Sequence, residues 1–84
     1  MATVRLTAGA IQELQRLPNV MIGRVTKLLE RLERWPDVSG AKPLSGSLAG
    51  RYRLRTGDYR LMFHVQGETV IVEKIGHRSD FYEE

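Results

Sequence analysis

Basic side chains alternate with apolar ones along residues 51–65, which read Arg-Tyr-Arg-Leu-Arg-Thr-Gly-Asp-Tyr-Arg-Leu-Met-Phe-His-Val. Two alternating runs meet at Gly57 and Asp58, a pattern typical of a β-hairpin closed by a two-residue turn. Glycine at the first central position favours a type II′ turn, and so short a loop determines which residues lie opposite each other. The predicted register places Arg55 opposite Arg60.

One face of this hairpin, here called the Arg face, carries Arg51, Arg53, Arg55, Arg60 and His64, because side chains alternate across a strand. A guanidinium group can bind phosphate through two parallel hydrogen bonds. Like charges directly opposite on a sheet repel, at a cost of about 0.2–1 kcal/mol for each pair. The pattern therefore favours an anionic ligand. The alternative is a solvated face whose counter-ions are Asp58, Glu73 and the acidic tail.

The composition is that of a small soluble protein, and it excludes several classes of site. The chain has 84 residues, a net charge of +3, 42% hydrophobic residues and no cysteine. We predict one domain over residues 1–84, without a disulfide, a metal site or a cofactor. No apolar run reaches the roughly 18 residues that would span a bilayer, and the N-terminus lacks a signal peptide. The predicted location is the cytoplasm.

The elements that position the hairpin can be predicted from periodicity and capping signals. Residues 3–6 alternate as a short strand, and Thr7 can cap a helix that runs to about Leu17 with Ile11 and Leu14 on its apolar stripe. Asn19 can cap a second helix, which Pro36 stops. Residues 36–50 are predicted to form a loop that is pinned at Leu44 and Leu48. Residues 70–75 are predicted to form one further strand, which follows the two strands of the hairpin.

The predicted order is β-α-α-β-β-β, an α+β two-layer domain. An antiparallel helical hairpin packs on one face of a mostly antiparallel sheet and leaves the Arg face free. The core face of the hairpin carries Tyr52, Leu54, Tyr59, Leu61 and Phe63. In the last strand, alternation directs Val70 and Val72 to the core but Ile71 and Ile75 to the Arg face. Either that strand is covered on both faces or its register is displaced by one residue.

Several motifs together resemble the RelE/ParE superfamily of bacterial and archaeal type II toxins, and they are most similar to its RelE-type messenger-RNA interferases. The resemblance spans nearly the whole chain. It rests on Leu17-Pro18, the Pro-terminated second helix, Lys42-Pro43-Leu44-Ser45-Gly46, Tyr-Arg-Leu-Arg-Thr-Gly-Asp-Tyr-Arg at 52–60, and Ile-Gly-His-Arg at 75–78 followed by Tyr82.

The resemblance implies a function for the Arg face. The catalytic positions of the family fall here on Arg53, Arg55, Arg60, Arg78 and Tyr82. RelE-type toxins enter the ribosomal A site and cut messenger RNA by attack of a ribose 2′-OH on the adjacent phosphate. The resemblance also implies a RelB-like antitoxin as partner. In this reaction arginines stabilise the transition-state charge, and Tyr82 would stack on a base.

The resemblance leaves the proton acceptor open, because some relatives carry Lys where this chain has Arg53 and Arg55. Arginine does not act as a base near neutrality. Among titrating groups His77 is favoured by position, Glu73 is more distant, and His64 is rated lower. Lys42, Arg51 and His64 are predicted to contact RNA.

Two further functions remain open from the sequence. The ParE branch of the superfamily poisons DNA gyrase and is not a nuclease, and it tends to lack the full basic and aromatic set. A basic RNA-binding module without catalysis would use the same arginines only for phosphate contacts.

Overall fold

The computed structural model describes residues 1–81, which contain two α-helices and a five-stranded sheet. Its elements are β1 (Thr3–Leu6), α1 (Ala8–Gln15), α2 (Asn19–Leu32), β2 (Lys42–Pro43), β3 (Arg51–Thr56), β4 (Tyr59–Gln66) and β5 (Thr69–His77). The strand order is β1-β5-β4-β3-β2, with β1 parallel to β5 and the other pairs antiparallel. The predicted α+β fold is confirmed. The two-residue strand β2 forms inside the predicted loop, where it extends the sheet beyond β3.

The hairpin of β3 and β4 has the predicted register. Arg55 lies opposite Arg60, Arg53 opposite Met62 and Arg51 opposite His64. Gly57 has a φ of +60°, whereas no non-glycine residue within 1–81 has a positive φ. A turn in which only the first central residue has a positive φ is of type II′, as predicted.

The pairing of β4 with β5 is interrupted by a β-bulge. Met62 pairs with Lys74 but Phe63 pairs with Val72, so that Glu73 is the extra residue. Before the bulge the predicted alternation is correct, and Ile71 lies opposite His64 on the Arg face. After the bulge it is wrong by one residue. Ile75 is in the core, with 2% of its surface exposed.

The core lies between α2 and the sheet. Three residues of α2 are buried against the core face of the hairpin, namely Val25, Leu28 and Leu32. Trp35 contacts the rings of Tyr52 and Phe63 edge-on, at centroid distances of 4.8 and 5.3 Å. This packing confirms the predicted core face and leaves the opposite face for the basic side chains.

The structure confirms the predicted cap of α1 and corrects two other details of the helices. Thr7 does cap α1, since its Oγ1 accepts a hydrogen bond from the Ala10 N–H at 3.1 Å. Asn19 is instead the first residue of α2, and Pro18 occupies the cap position without a side-chain hydrogen bond. In α1 the buried residue is Ala10, and Ile11 is 43% exposed. The small alanine allows the helix backbone to lie close to the sheet. No helix within residues 1–81 is long and apolar enough to span a membrane.

Candidate functional site

Part of the Arg face is covered, contrary to the prediction that it would be free. Leu44 and Leu48 of the loop and Phe81 after β5 pack over the sheet. They enclose a pocket of about 60 Å³ whose remaining lining residues are Arg53, Arg60, Met62 and Lys74. The loop is therefore pinned at the two predicted leucines, but it is pinned on the Arg face. It covers the apolar stems of the basic side chains.

Arg60 is a partly buried cation of this pocket. Its Nε atom is buried and has no hydrogen-bond partner within residues 1–81. Arg55, directly opposite, is exposed to solvent. A guanidinium group with a buried donor lacking a partner favours an anion, because leaving such a donor unsatisfied costs about 1–3 kcal/mol. The buried Nε of Arg60 therefore marks this part of the Arg face as a candidate position for an anion.

At the other end of the Arg face, two predicted RNA-binding residues are already paired. Arg51 Nε and His64 Nδ1 donate to the same carboxylate oxygen, Glu73 Oε1, at 2.8 and 2.9 Å. Burial raises the pKa of Glu73, but hydrogen bonds from His64 and Arg51 and their charges outweigh it and lower that pKa below its ordinary value. Glu73 is thus a counter-ion, as in the alternative of a solvated Arg face, but only at the end that carries Arg51 and His64.

Arg78 is held at the hairpin turn. Its backbone N–H donates to the Asp58 carbonyl oxygen at 2.7 Å, and its Nε lies 3.8 Å from Asp58 Oδ1. The side chain is 64% exposed. The chain after β5 therefore brings Arg78 to the turn that Arg55 and Arg60 flank. Tyr82 lies outside the described residues.

His77 lies on the other face of the sheet. It is opposite Tyr59, whose ring it contacts edge-on at 5.3 Å, and its Nδ1 accepts the Ser79 N–H at 3.1 Å. The residue lines a separate cleft of about 330 Å³ with Glu13 and Arg16 of the α1 region. The structure therefore does not bring His77 to the arginines of the Arg face.

Two lysines extend the Arg face. Lys42 of β2 lies opposite Arg53, as expected for a residue of the basic surface. Lys74 was not predicted, and it reaches this face only because of the bulge. Its Nζ lies 5.1 Å from the centre of the Phe81 ring. The signal in the sequence was the pair of consecutive charged residues, Glu73 and Lys74, between apolar Val72 and Ile75.

Comparison with known proteins identifies the family of this chain. A family model described as the ParE toxin of the type II toxin-antitoxin system parDE matches residues 4–82. The chain belongs to the RelE/ParE superfamily of toxins. The predicted family resemblance is confirmed.

Individual relatives agree with this assignment. The toxin is 37% identical to Toxin RelG of Mycobacterium tuberculosis over 83 residues, which cover 95% of this chain and 94% of the relative. Toxin RelE3 of Methanocaldococcus jannaschii is 25% identical over 87% of this chain and 86% of its own.

Solved structures of the superfamily have the same fold. The toxin-antitoxin complex RelBE2 from Mycobacterium tuberculosis matches with a TM-score of 0.81 and 34% identity, over 94% of this toxin and 93% of that chain. The isolated E. coli RelE toxin matches with a TM-score of 0.76 over 92% and 84% of the two chains. At 18% identity the latter supports the fold alone.

Proposed function

We propose that this toxin is a RelE-type messenger-RNA interferase, a ribosome-dependent endoribonuclease that uses the Arg face as its active site. The observation that carries the proposal is the convergence of Arg53 and Arg60 on one pocket, with the buried Nε of Arg60 lacking a partner within residues 1–81. Arg55 and Arg78 flank the adjoining turn. A phosphate at this position would contact cations from β3, from β4 and from the segment after β5.

The chemistry follows from this arrangement of charges. Attack of a ribose 2′-OH on the adjacent phosphate adds negative charge to the phosphoryl oxygens in the transition state. Guanidinium groups that are already positioned stabilise that charge without reorganisation. The products are a 2′,3′-cyclic phosphate and a 5′-OH. The reaction needs no metal ion when arginines supply the charge.

A RelB-like antitoxin is the proposed protein partner. RelBE2 of Mycobacterium tuberculosis is a toxin-antitoxin complex, and the match with one chain of that complex covers 94% of this toxin. The proposed contacts are the Arg face, through acidic side chains, and the helical hairpin.

Inhibition of DNA gyrase is the second proposal, and the description of the matching family as ParE toxin favours it. The two functions differ in what is damaged. A gyrase inhibitor lowers DNA supercoiling and leaves transcripts intact, whereas an interferase produces new transcript 5′ ends.

Inducible expression with 5′-end mapping of transcripts tests the proposal. We expect new 5′ ends within translated reading frames soon after induction, and their loss when initiation of translation is blocked. The plasmid supercoiling of the same cells should not change. Relaxed plasmids with intact transcripts would overturn the proposal in favour of gyrase inhibition. Binding of RNA without new 5′ ends would identify a module that lacks catalysis.

A further inference from the structure

The proposed reaction requires a group that accepts the 2′-OH proton, and the inference below rests on that proposed function. Arg53 and Arg55 remain protonated at neutral pH and cannot take this role. His77 faces the helix side of the sheet, where it lines the cleft beside α1. Within residues 1–81, the remaining candidates for the proton acceptor are the other titrating side chains of the Arg face.

His64 has the hydrogen bonds of an oriented base. Its Nδ1 lies 2.9 Å from Glu73 Oε1, and its Nε2 lies 3.1 Å from the Gln66 amide nitrogen. One neutral tautomer satisfies both contacts, since Nδ1–H donates to the carboxylate and Nε2 accepts from the amide. A carboxylate that holds the imidazole in one tautomer leaves the other nitrogen as the acceptor, which is the arrangement found in nucleophile-activating triads.

The position of His64 relative to the pocket suits this role. Arg53 lies opposite Met62, so its two diagonal neighbours on the same face are Arg60 and His64. Diagonal neighbours in an antiparallel pair are about 7–8 Å apart, within reach of long side chains. A phosphate bound by Arg53 and Arg60 can therefore place an adjacent ribose between Arg53 and His64, where the 2′-OH comes within hydrogen-bond distance of Nε2.

The groups that face His64 hold its ring in one orientation. Arg51 faces it from β3 and donates to the same Glu73 oxygen at 2.8 Å. Glu73 and the apolar Ile71 face it from β5. Gln66 follows on its own strand and is exposed, so that its amide can leave Nε2 when the ribose arrives. Arg5 of β1 lies opposite Ile71, one strand further away.

We propose that His64 is the general base of the cleavage reaction and that Glu73 is its positioning residue. Nε2 of His64 takes the 2′-OH proton while the 2′-oxygen forms its bond to phosphorus. The bond from phosphorus to the 5′-oxygen breaks, and its electron pair leaves on that oxygen, which takes a proton from solvent water. His64 then returns its proton to solvent. Nothing is oxidised or reduced.

The test is a single-turnover cleavage rate on message-programmed ribosomes across a range of pH, with the affinity for the same ribosomes measured beside it. His64→Gln should lower the rate by about 10²–10⁴, the usual contribution of a general base, and remove the acidic limb of the pH–rate profile. Affinity should change less than about twofold. Glu73→Gln should lower the cleavage rate less than His64→Gln does, and it should displace the acidic limb rather than remove it. His77→Gln is the rival variant, and it should keep both the limb and most of the rate.

Three results would overturn the inference while leaving the proposed function intact. They are a parental rate and profile in His64→Gln, a loss of affinity in that variant without loss of rate, and a loss of the acidic limb in His77→Gln instead. A parental toxin that does not cleave message refutes the proposed function itself. Because His64→Gln could fold poorly, the rate of His64→Ala with added imidazole is measured too, and rescue by this external base supports the inference.

Discussion

Arg55 and Arg60 are directly opposed across the hairpin of β3 and β4, yet their surroundings differ. Arg55 is exposed to solvent, whereas Arg60 lines the pocket beneath Leu44 and Leu48 with its Nε buried. The same cross-strand pair therefore contains one solvated cation and one cation enclosed by apolar side chains. This difference makes Arg60 the more informative position for mutation.

Arg60→Met should separate catalysis from folding. Methionine keeps the apolar stem that packs in the pocket and removes the charge. We expect a loss of about 2–4 kcal/mol of transition-state stabilisation, which is a decrease of roughly 10²–10³ in cleavage rate. The thermal midpoint should be unchanged or slightly higher, because repulsion from Arg55 of about 0.2–1 kcal/mol is relieved.

Arg5→Met is the matched control for this change. Arg5 of β1 pairs with Ile71 of β5, so that it lies on the Arg face but away from the pocket. Its side chain is exposed. Its cleavage rate should equal that of the parent. Unfolding of Arg60→Met, or parental cleavage by that variant, would refute the placement of the active site.

The affinity for programmed ribosomes should depend steeply on salt. Each phosphate contact on single-stranded RNA contributes about −0.7 to the slope of log K against log salt. Arg53→Gln and Arg60→Gln should each reduce the magnitude of the slope by about 0.7. Arg34→Gln, at an exposed residue just after the end of α2, serves as the control and should change the slope less. Equal slopes in all three variants would mean that the Arg face does not bind RNA.

The stability contributed by Glu73 should depend on pH in a defined direction. Its pKa is lowered in the folded state from an ordinary 4.5, so the stabilisation is present above about pH 4.5 and is lost as the pH falls through the folded pKa. At neutral pH Glu73→Gln should be less stable than the parent by an amount on the order of 1 kcal/mol. Urea unfolding of both proteins between pH 7 and 3 measures this difference, which should shrink in acid. A constant difference would contradict the coupling of Glu73 to Arg51 and His64.

The helical hairpin should contribute to antitoxin binding through its exposed apolar residues. Val20 and Ile11 are 71% and 43% exposed. Val20→Asp and Ile11→Asp should each weaken the complex with the proposed antitoxin by at least about 1–3 kcal/mol, the cost of burying a polar group without a partner, which is greater for a charge. Co-purification and titration measure this loss, with Gln12→Asp as an exposed control. A complex that tolerates both aspartates would exclude these helices from the interface.

Features that depend on local interactions could be predicted from the sequence. The turn at Gly57 and Asp58 needs only two residues, and once it forms it determines every pair along β3 and β4. The arginines and the buried Leu54, Leu61 and Phe63 therefore segregate as alternation requires. Thr7 caps its helix for the same reason, since the acceptor and the Ala10 N–H are three residues apart.

Features that depend on contacts between distant segments were decided only by the tertiary structure. The bulge at Glu73 arises where β5 must bury Val72 and Ile75 while its charged residues reach the Arg face, and alternation along one strand cannot show this. It brings Lys74 to the Arg face and leaves His77 opposite Tyr59 on the other. Leu44 and Leu48 cover the arginine stems because the sheet offers apolar surface there. His64 and Glu73, nine positions apart, meet only when β4 and β5 pair, so their shared hydrogen bond has no counterpart in the sequence pattern.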